Sequence, residues 1–330
     1  MLFKEENFIQ PALQSTIKAA IACSKFAGNG DKTIADKAAV DAMREVLNSQ
    51  INDCGVVIIG EGEMDEAPML YIGEKIGQKK EQSQHNFEIA VDPLDGTTLC
   101  AKNMDGAVAV IAIAPAGCIL NAPDIYMHKI AVGGYGLSND IISFDNTTSQ
   151  NLQNIAKAKK KQVQDLNIVV LDRPRHADLI AQIRAAGAKV SLLNDGDVMG
   201  VLSICEIFKN RADAYFGIGG APEGVVTAAA IRALGGVFIG KLFYEDESQK
   251  QRATAMLKTF GYNNPDQVFT QNDMIKGDKA VFAVTAVTHS SFLKGVQIKN
   301  LNGQEFYKTQ SLVATLQNGY FISKNFTTKS

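Results

Sequence analysis

The chain has 330 residues, of which 46% are hydrophobic and 21% are charged, and its formal net charge is -2. This length and apolar content predict a folded protein with a large core, divided into two subdomains. Without a basic excess, a nucleic-acid partner is disfavoured, and apolar runs such as residues 107–115 are far shorter than the roughly 20 residues of a membrane span. We therefore expect a small-molecule partner, with no nucleic acid and no membrane.

Two features of the chain concern its compartment. The first residues, M-L-F-K-E-E-N-F, have acidic side chains where a secretory signal has a basic flank followed by an apolar segment. The five cysteines are odd in number and show no C-x-x-C spacing, which disfavours a disulfide framework or a zinc site. A cytoplasmic protein with reduced thiols is the expectation.

The first half of the chain reads as helices over a sheet. Residues 6–27 and 36–52 have the three- and four-residue apolar spacing of amphipathic helices. Residues 56–60, 87–92 and 106–115 are short, strand-like apolar runs bounded by glycine or proline. We assign this α+β half to residues 1–150.

The second half, residues 151–330, follows a polar, lysine-rich stretch from Thr147 to Gln164. It alternates strand-like and helix-like segments, including a helix predicted from Asp197 to Phe208 and another over residues 222–236. Such alternation is typical of layered α/β architecture with crossover helices. The tail, residues 279–326, contains strand-like runs separated by N-L-N-G and Q-N-G turns and predicts hairpins that complete a sheet.

Four polar stretches interrupt the apolar pattern where we expect strand ends. They are G-D-K-T-I-A-D (30–36), G-E-G-E-M-D-E-A-P (60–68), V-D-P-L-D-G-T-T (91–98) and G-G-A-P-E-G (219–224). Ligand sites in α/β folds lie beyond the carboxyl ends of strands, so these stretches are the candidate site.

The second stretch places Glu61, Glu63, Asp65 and Glu66 within six residues of one another. A cluster of this kind is usually a solvated acidic loop. Its place after a strand, between glycines, favours instead a hard divalent cation such as Mg²⁺ or Mn²⁺, which binds oxygen ligands and removes the repulsion between carboxylates.

The third stretch ends a strand in two carboxylates, Asp92 and Asp95, which are spaced so that both can face one cation. Gly96 allows close approach of a ligand, and the Thr97 hydroxyl can hold a water between a carboxylate and a phosphorus atom. A plain turn is the ordinary reading of D-P-x-D-G alone, but it leaves the other acidic stretches unexplained.

These motifs carry a family resemblance. D-P-L-D-G-T resembles the D-P-x-D-G-T motif of the inositol monophosphatase and fructose-bisphosphatase superfamily of metal-dependent phosphatases. A wider set of blocks is similar, in order and spacing, to the bacterial class II fructose-1,6-bisphosphatases. The blocks, between about Gly30 and Gly236, are G-D-K-T-I-A-D, V-I-I-G-E-G-E-M-D-E-A-P-M-L-Y-I-G-E, L-N-A-P-D-I-Y-M-H-K, R-P-R-H, D-G-D-V and Y-F-G-I-G-G-A-P-E-G-V-V-T-A-A-A-I-R-A-L-G-G.

The resemblance implies an α/β fold, an α-β-α-β-α five-layer sandwich, and a gluconeogenic enzyme that hydrolyses the 1-phosphate of fructose 1,6-bisphosphate. It implies a metal site for Mn²⁺ or Mg²⁺ made by Asp36, Glu61, Asp92, Asp95 and Glu223. Catalytic residues by motif position are Thr97, which would position the attacking water, with Lys32, Glu63 and Asp65. Implied substrate contacts are Asp95, Gly96, Thr97, Tyr126, Arg173, Pro174, Arg175, Asp195, Gly196, Asp197 and Gly220.

Two positions depart from the family pattern. Asp95 stands where many class II members have glutamate, and Arg173 stands where lysine is common before P-R-H. The shorter carboxylate predicts altered metal geometry, and arginine can still hold a phosphate bidentately.

The residues alone leave other readings open. The chain could be a broader sugar-bisphosphate or inositol phosphatase, for example one acting on sedoheptulose 1,7-bisphosphate, or a non-catalytic metal-binding regulatory protein. The resemblance favours a homo-oligomer, either dimer or tetramer. The four histidines are scattered without ligand spacing, and we assign them no catalytic role.

Overall fold

The computed structural model describes residues 3–62, 69–209 and 211–328. The chain forms two compact units, one of residues 1–119 with 277–330 and the other of residues 120–276. These boundaries differ from the predicted division at residue 150. The C-terminal strands pair with N-terminal strands in one sheet, so the tail belongs to the first unit.

The chain builds most of the first unit, then the whole of the second, and finally returns to the first. The first unit begins with α1 (Glu6–Ser24), α2 (Lys32–Gln50), β1 (Gly55–Ile59), β2 (Lys75–Ile76), β3 (Phe87–Asp95), α3 (Thr97–Ala101) and β4 (Val108–Pro115). The second unit contains β5 (Tyr126–Gly133), α4 (Thr148–Ala158), β6 (Asn167–Leu171), α5 (Ala177–Ala185), β7 (Lys189–Leu193), α6 (Asp197–Leu202), β8 (Ala214–Gly220), α7 (Ala221–Leu234), β9 (Gly236–Phe243), α8 (Glu247–Thr259), β10 (Phe269–Thr270) and α9 (Gln271–Met274). The returning segment forms β11 (Val281–Ala286), β12 (Gln297–Leu301), β13 (Gln304–Thr315) and β14 (Gly319–Thr328).

The sheet of the first unit has the order β12-β13-β11-β4-β3-β1-β2, and β14 pairs with β13. Only β1 and β3 run parallel; the other described pairs are antiparallel. Helices α1 and α2 cover this sheet, and their apolar faces, including Leu13, Ile17 and Met43, join one core with Ile89 and Ile111 of the strands. The predicted helices over a sheet are present in this unit, and the predicted C-terminal hairpins extend its sheet instead of belonging to the second half.

A buried carboxylate joins the start of the first unit to its end. Glu5 is 1% exposed and accepts hydrogen bonds from the N–H groups of Ala280, Leu316 and Gln317 at 2.9, 3.1 and 3.2 Å. The Asn318 side chain donates a fourth at 3.1 Å. The residue before α1 is therefore fixed against the start of β11 and the turn between β13 and β14.

The sheet of the second unit has the order β10-β9-β5-β8-β6-β7. Strand β6 runs parallel to β7 and β8, with α5 crossing between β6 and β7, whereas β5 runs antiparallel to both β8 and β9. Mixed sheets with helices in both units confirm the layered α/β fold class.

Three elements differ from the sequence prediction. Helix α2 begins at Lys32, four residues earlier than expected, because Asp31 caps it. Helix α6 ends at Leu202 and the chain continues in turns, so the helix predicted to Phe208 is shorter. The lysine-rich stretch contains α4, which begins with a capping box between Thr147 and Gln150. None of the helices in the described ranges has the length and hydropathy needed to cross a bilayer.

Candidate active site

The start of α2 holds two of the predicted site residues. Asp31 Oδ1 accepts hydrogen bonds from the N–H groups of Thr33 and Ile34 at 2.9 and 3.3 Å, which satisfies two groups that the helix itself leaves unbonded. Lys32 is the exposed first residue of the helix, and Asp36 lies one turn later, half-buried. Asp36, which the sequence grouped with acidic strand ends, is therefore a helical residue.

Asp36 lies within hydrogen-bonding reach of Glu61, which follows β1. Burial raises the pKa of Asp36 above its ordinary value, and the hydrogen bond with Glu61 opposes that rise. Two adjacent carboxylates need either a shared proton or a cation to balance their repulsion. The pair thus has the chemistry of two oxygen ligands for a hard divalent ion.

Gly60 lets the chain after β1 fold back on itself. A Cβ at this position would lie 1.9 Å from the backbone oxygen of Leu70, so only glycine fits. The N–H of Glu61 donates to the same Leu70 oxygen at 3.0 Å, which fixes the backbone of the predicted ligand. Glu63 and Asp65, which the sequence placed in the same loop, lie outside the described residues.

The turn from β3 into α3 holds Asp92, Asp95, Gly96 and Thr97. The Leu94 N–H donates to Asp92 Oδ1 at 3.1 Å, and the pairing with β4 shifts register between Asp92 and Asp95. Gly96 has φ 82°, a left-handed conformation that favours glycine, and it ends the strand. Asp95 is buried at 6% exposure, and the half-buried Thr97 is the first residue of α3.

The metal set as a whole is not assembled by the residues that the structure describes. Among residues 3–62, 69–209 and 211–328, no three His, Cys, Asp or Glu side chains group closely enough to hold a metal ion. The structure brings together Asp36 and Glu61, and it places Asp92 and Asp95 on one turn. The chemistry of these oxygen donors fits a hard divalent cation, and the complete ligand set stays a proposal.

In the second unit, the ends of β6 and β7 bring two predicted substrate residues together. Arg173 Nη2 forms an ion pair with Asp195 Oδ1 at 2.9 Å, and its Nη1 donates to the backbone oxygen of Asn194. These contacts are possible because β6 and β7 are parallel neighbours whose carboxyl ends meet. Gly196 has φ 86° and leads directly into α6, just as Gly96 leads into α3.

Arg175 and Tyr126 also meet. The Arg175 guanidinium carbon lies 4.7 Å from the centre of the Tyr126 ring, a cation–π contact at the first residue of β5. Both side chains are exposed, so this stacked pair presents a cation and a hydroxyl to solvent. Pro174, between the two arginines, begins a short 3₁₀ turn, Pro174–His176.

Asp197 lies in a buried polar network. It is 7% exposed; its Oδ2 accepts from the Lys129 ammonium, and its Oδ1 accepts from the Tyr215 hydroxyl. Lys129 is 1% exposed, on β5. Each Asp197 oxygen therefore accepts a hydrogen bond inside the second unit.

Sequence reasoning missed Lys129 and Tyr215. Lys129 is the only lysine in the run I-Y-M-H-K-I-A-V, and a cation inside an apolar strand was the available signal. Nothing local in the sequence pairs that lysine with an aspartate 68 residues later.

The two glycines before α7 leave room for carboxylates. A Cβ on Gly219 would lie 2.4 Å from Asp197 Oδ2, and a Cβ on Gly220 would lie 1.9 Å from Glu223 Oε2. Glu223 is in the first turn of α7, where the partial positive charge of the helix favours an anion. The two glycines of G-G-A-P-E-G have no side chains, and the space that their Cβ atoms would fill is occupied by the carboxylates of Asp197 and Glu223.

Glu223 has an oxygen whose bonding is incomplete. Within the described part of the chain, its buried Oε2 atom accepts no hydrogen bond. Burial raises the pKa of Glu223, the Lys129 ammonium lowers it, and Asp197 raises it further. A shielded carboxylate oxygen without a donor fits a metal-ligand role.

Comparison with known proteins gives the class of protein. The chain is 40% identical over 317 residues to a protein of Trichodesmium erythraeum (strain IMS101), covering 91% of this chain and 90% of that protein. It is 42% identical over 297 residues to one of Synechococcus sp. (strain JA-3-3Ab), covering 85% and 84%, and 39% identical over 317 residues to one of Synechocystis sp. (strain ATCC 27184 / PCC 6803 / Kazusa), covering 91% and 90%. All three are named D-fructose 1,6-bisphosphatase class 2/sedoheptulose 1,7-bisphosphatase. The chain is therefore a phosphatase, a hydrolase of phosphoric monoesters.

The family follows from a second comparison. The model of the family described as bacterial fructose-1,6-bisphosphatase, glpX-encoded, matches residues 6–324. The chain belongs to this family, as its motifs predicted. Membership implies dependence on a divalent metal ion.

Proposed function

We propose that the chain hydrolyses the 1-phosphate of fructose 1,6-bisphosphate to give fructose 6-phosphate and inorganic phosphate. The observation that carries this proposal is the family match over residues 6–324, which spans every motif described above. The structure of the candidate site supports the roles that we give to individual residues.

The substrate sets the chemical problem. A phosphate monoester is a dianion that repels the attacking water, so the enzyme must neutralise charge and align water opposite the leaving oxygen. A bound divalent ion supplies charge neutralisation and lowers the pKa of a coordinated water. We propose Mn²⁺ or Mg²⁺, because the donors are carboxylate oxygens.

The carboxylates have the role of holding that ion. Asp36 and Glu61 form a close pair, Asp92 and Asp95 share the turn after β3, and Glu223 has a buried oxygen that accepts no hydrogen bond within the described ranges. The proposal also assigns catalytic roles to Lys32, Glu63 and Asp65. Lys32 lies at the exposed start of α2.

Thr97 positions the attacking water in this account. Its place directly after Gly96, at the first position of α3, fixes the backbone that carries the hydroxyl. A neighbouring carboxylate such as Asp36 polarises the hydroxyl, which then orients the water toward phosphorus. The water oxygen bonds to phosphorus, the bond between phosphorus and the oxygen on C1 breaks, and a proton released by the water ends on the leaving oxygen.

The second unit holds the rest of the substrate. Arg173 and Arg175 carry the cations that bind the distal phosphate, with Tyr126 stacked on Arg175 and Asp195 paired with Arg173. The backbones of Pro174, Gly196 and Gly220 shape the adjoining turns. Asp197 is a further proposed contact of the sugar, and it also accepts hydrogen bonds from Lys129 and Tyr215.

The test is phosphate release from fructose 1,6-bisphosphate with Mn²⁺, with Mg²⁺ or with a chelator. We expect release only with metal, and Thr97→Ala should lower turnover about 10²- to 10⁴-fold, the range for loss of a group that positions or transfers a proton. Thr97→Ser should retain much of the activity, and Thr98→Ala, the adjacent half-buried threonine of α3, is the matched control. Wild-type turnover in Thr97→Ala would remove the assigned role.

A second substrate is favoured by the names of the relatives, which include sedoheptulose 1,7-bisphosphatase. Parallel assays with that bisphosphate and with inositol 1-phosphate define the substrate range. Release from both bisphosphates but not from inositol 1-phosphate is the pattern expected of a site that binds a distal phosphate.

The assembly and compartment are further parts of the proposal. We propose a cytoplasmic homo-oligomer, dimer or tetramer, acting in gluconeogenesis. Light scattering on the purified protein measures the number of subunits, and a monomer would contradict this part.

A further inference from the structure

The end of β8 lacks a strand partner on one side among the described strands. Strand β6 pairs with β8 at Ile168↔Ala214 and Val169↔Tyr215. Strand β6 then ends at Leu171, whereas β8 continues to Gly220 with β5 along its other edge. The last residues of β8 therefore have backbone N–H and C=O groups that face the segment after β6. None of the described strands pairs with these groups.

Two adjacent side chains of the Pro174–His176 turn take the place of the missing strand. The N–H of Ile218 donates to His176 Nε2 at 2.8 Å. The carbonyl oxygen of Ile218 accepts from Arg175 Nε and Nη2 at 3.1 and 2.9 Å. Both backbone groups of one β8 residue are thus bound by neighbouring side chains.

The hydrogen bonds of His176 fix its tautomer. Nε2 accepts from Ile218 and must therefore carry a lone pair, so the ring proton is on Nδ1. Nδ1 lies 2.7 Å from the carbonyl oxygen of Leu171, the last residue of β6, and donates to it. The ring belongs to a residue that is 1% exposed, and it bridges the end of one strand to the edge of another.

The Arg175 guanidinium binds the same residue of β8 as His176. Arg175 is an exposed residue with a long side chain, and such a side chain loses substantial rotational freedom when it binds. Its paired bonds to the Ile218 oxygen restrict it before any ligand arrives, and the stacked Tyr126 ring restricts it on one face. His176 binds the N–H of the same residue, so both side chains hold the Ile218 backbone.

We propose that His176 is a positioning residue for the distal phosphate: it holds the Ile218 backbone through its N–H, so that the Ile218 carbonyl preorganises Arg175 to bind that group. This inference rests on the proposed function, in which Arg175 grips the phosphate that is not cleaved. His176 itself is buried, and its ring nitrogens contact backbone groups of β6 and β8.

Two variants separate the two ring contacts. His176→Asn keeps a donor near Nδ1 and loses the acceptor for Ile218, whereas His176→Gln keeps an acceptor near Nε2. His176→Asn should raise the KM for fructose 1,6-bisphosphate and weaken binding of fructose 6-phosphate by about 10- to 100-fold, the range for a misplaced charge-assisted contact. His176→Gln should recover a large part of both.

The comparison substrate is fructose 1-phosphate, which has the cleaved phosphate and lacks the distal one. His176→Asn should leave its turnover and KM within about twofold of wild type, because Arg175 has no phosphate to bind there. Arg175→Ala should show the same selective loss on the bisphosphate. His289→Asn, an exposed histidine in the other unit, is the matched control.

An equal loss on both substrates, or no loss on either, would overturn the inference. If His176→Asn does not fold, by circular dichroism, His176→Gln is compared with Arg175→Ala: the glutamine variant keeps the acceptor for Ile218 and should lose far less affinity for the bisphosphate, and an equal loss in both would overturn the inference. Calorimetric binding of fructose 6-phosphate tests the positioning role without turnover. Failure of the wild type to cleave the bisphosphate would instead count against the proposed function.

Discussion

The buried Lys129–Asp197 pair gives the strongest stability prediction. The side chains of Lys129 and Asp197 are 0% and 9% exposed, and the Tyr215 hydroxyl is the second partner of the carboxylate. Lys129→Met keeps the length and apolar stem of the side chain but removes its charge. Asp197 is then left as a buried carboxylate with one neutral donor.

Breaking a buried ion pair by removing one partner costs about 3–5 kcal/mol, because the remaining charge stays desolvated. We expect Lys129→Met to lower the free energy of unfolding by that amount. The double variant Lys129→Met with Asp197→Leu removes both charges, and such replacements are often neutral. It should therefore be more stable than Lys129→Met alone, by about 2 kcal/mol or more.

The assay is equilibrium unfolding in urea, with hydrogen exchange of the β5 and β8 amides to locate the effect in the second unit. Lys241→Met is the matched control: Lys241 is a half-buried lysine of β9 opposite His128, and its loss should change stability by about 0.5 kcal/mol or less. A loss below about 1 kcal/mol for Lys129→Met, or a double variant as unstable as the sum of its singles, would show that the buried pair does not stabilise this unit as described.

Three further predictions concern other buried polar groups. Glu5→Ala should lower stability by about 3 kcal/mol, because it leaves the donors before β11 and before β14 unbonded; the thermal midpoint measures this against exposed Glu6→Ala. Burial lowers the pKa of His176, so the unfolded chain binds a proton that the folded chain does not, and stability should fall as pH drops below about 6.5. The assay is the urea midpoint of unfolding between about pH 7.5 and 5.5. The midpoint should depend less on pH in His176→Asn than in the wild type. Gly220→Ala should displace the Glu223 carboxylate, since the new Cβ would lie 1.9 Å from Oε2. Its stability should change by about 1 kcal/mol at most, while the metal concentration for half-maximal activity rises about tenfold or more; an unchanged metal requirement would contradict the role of Glu223.

The local elements of the site were predictable because their signals are short-range. The apolar run 87–92 followed by Asp-Pro and Asp-Gly predicted a strand that ends in a turn, and β3 ends at Asp95 before the left-handed Gly96. The C-terminal turns likewise predicted hairpins, which β12, β13 and β14 form.

Long-range partners were beyond the sequence pattern. Strand β11 pairs with β4, so that Val281 lies opposite Ile113, and no local feature of either strand specifies that choice. This pairing is why the tail belongs to the first unit and why a division at residue 150 differs from the observed one. His176 was passed over for a similar reason: its partners, Leu171 and Ile218, are backbone groups that leave no motif.

The reaction that we propose for this chain is removal of the 1-phosphate of fructose 1,6-bisphosphate. The most direct measurement is ³¹P NMR of the products. The sugar bisphosphate is first incubated with the enzyme and Mn²⁺, and the metal is then removed by chelation before the spectrum is recorded. We predict equal amounts of inorganic phosphate and fructose 6-phosphate. Fructose 1-phosphate as the product, or an unchanged bisphosphate spectrum with both Mn²⁺ and Mg²⁺, would contradict the account.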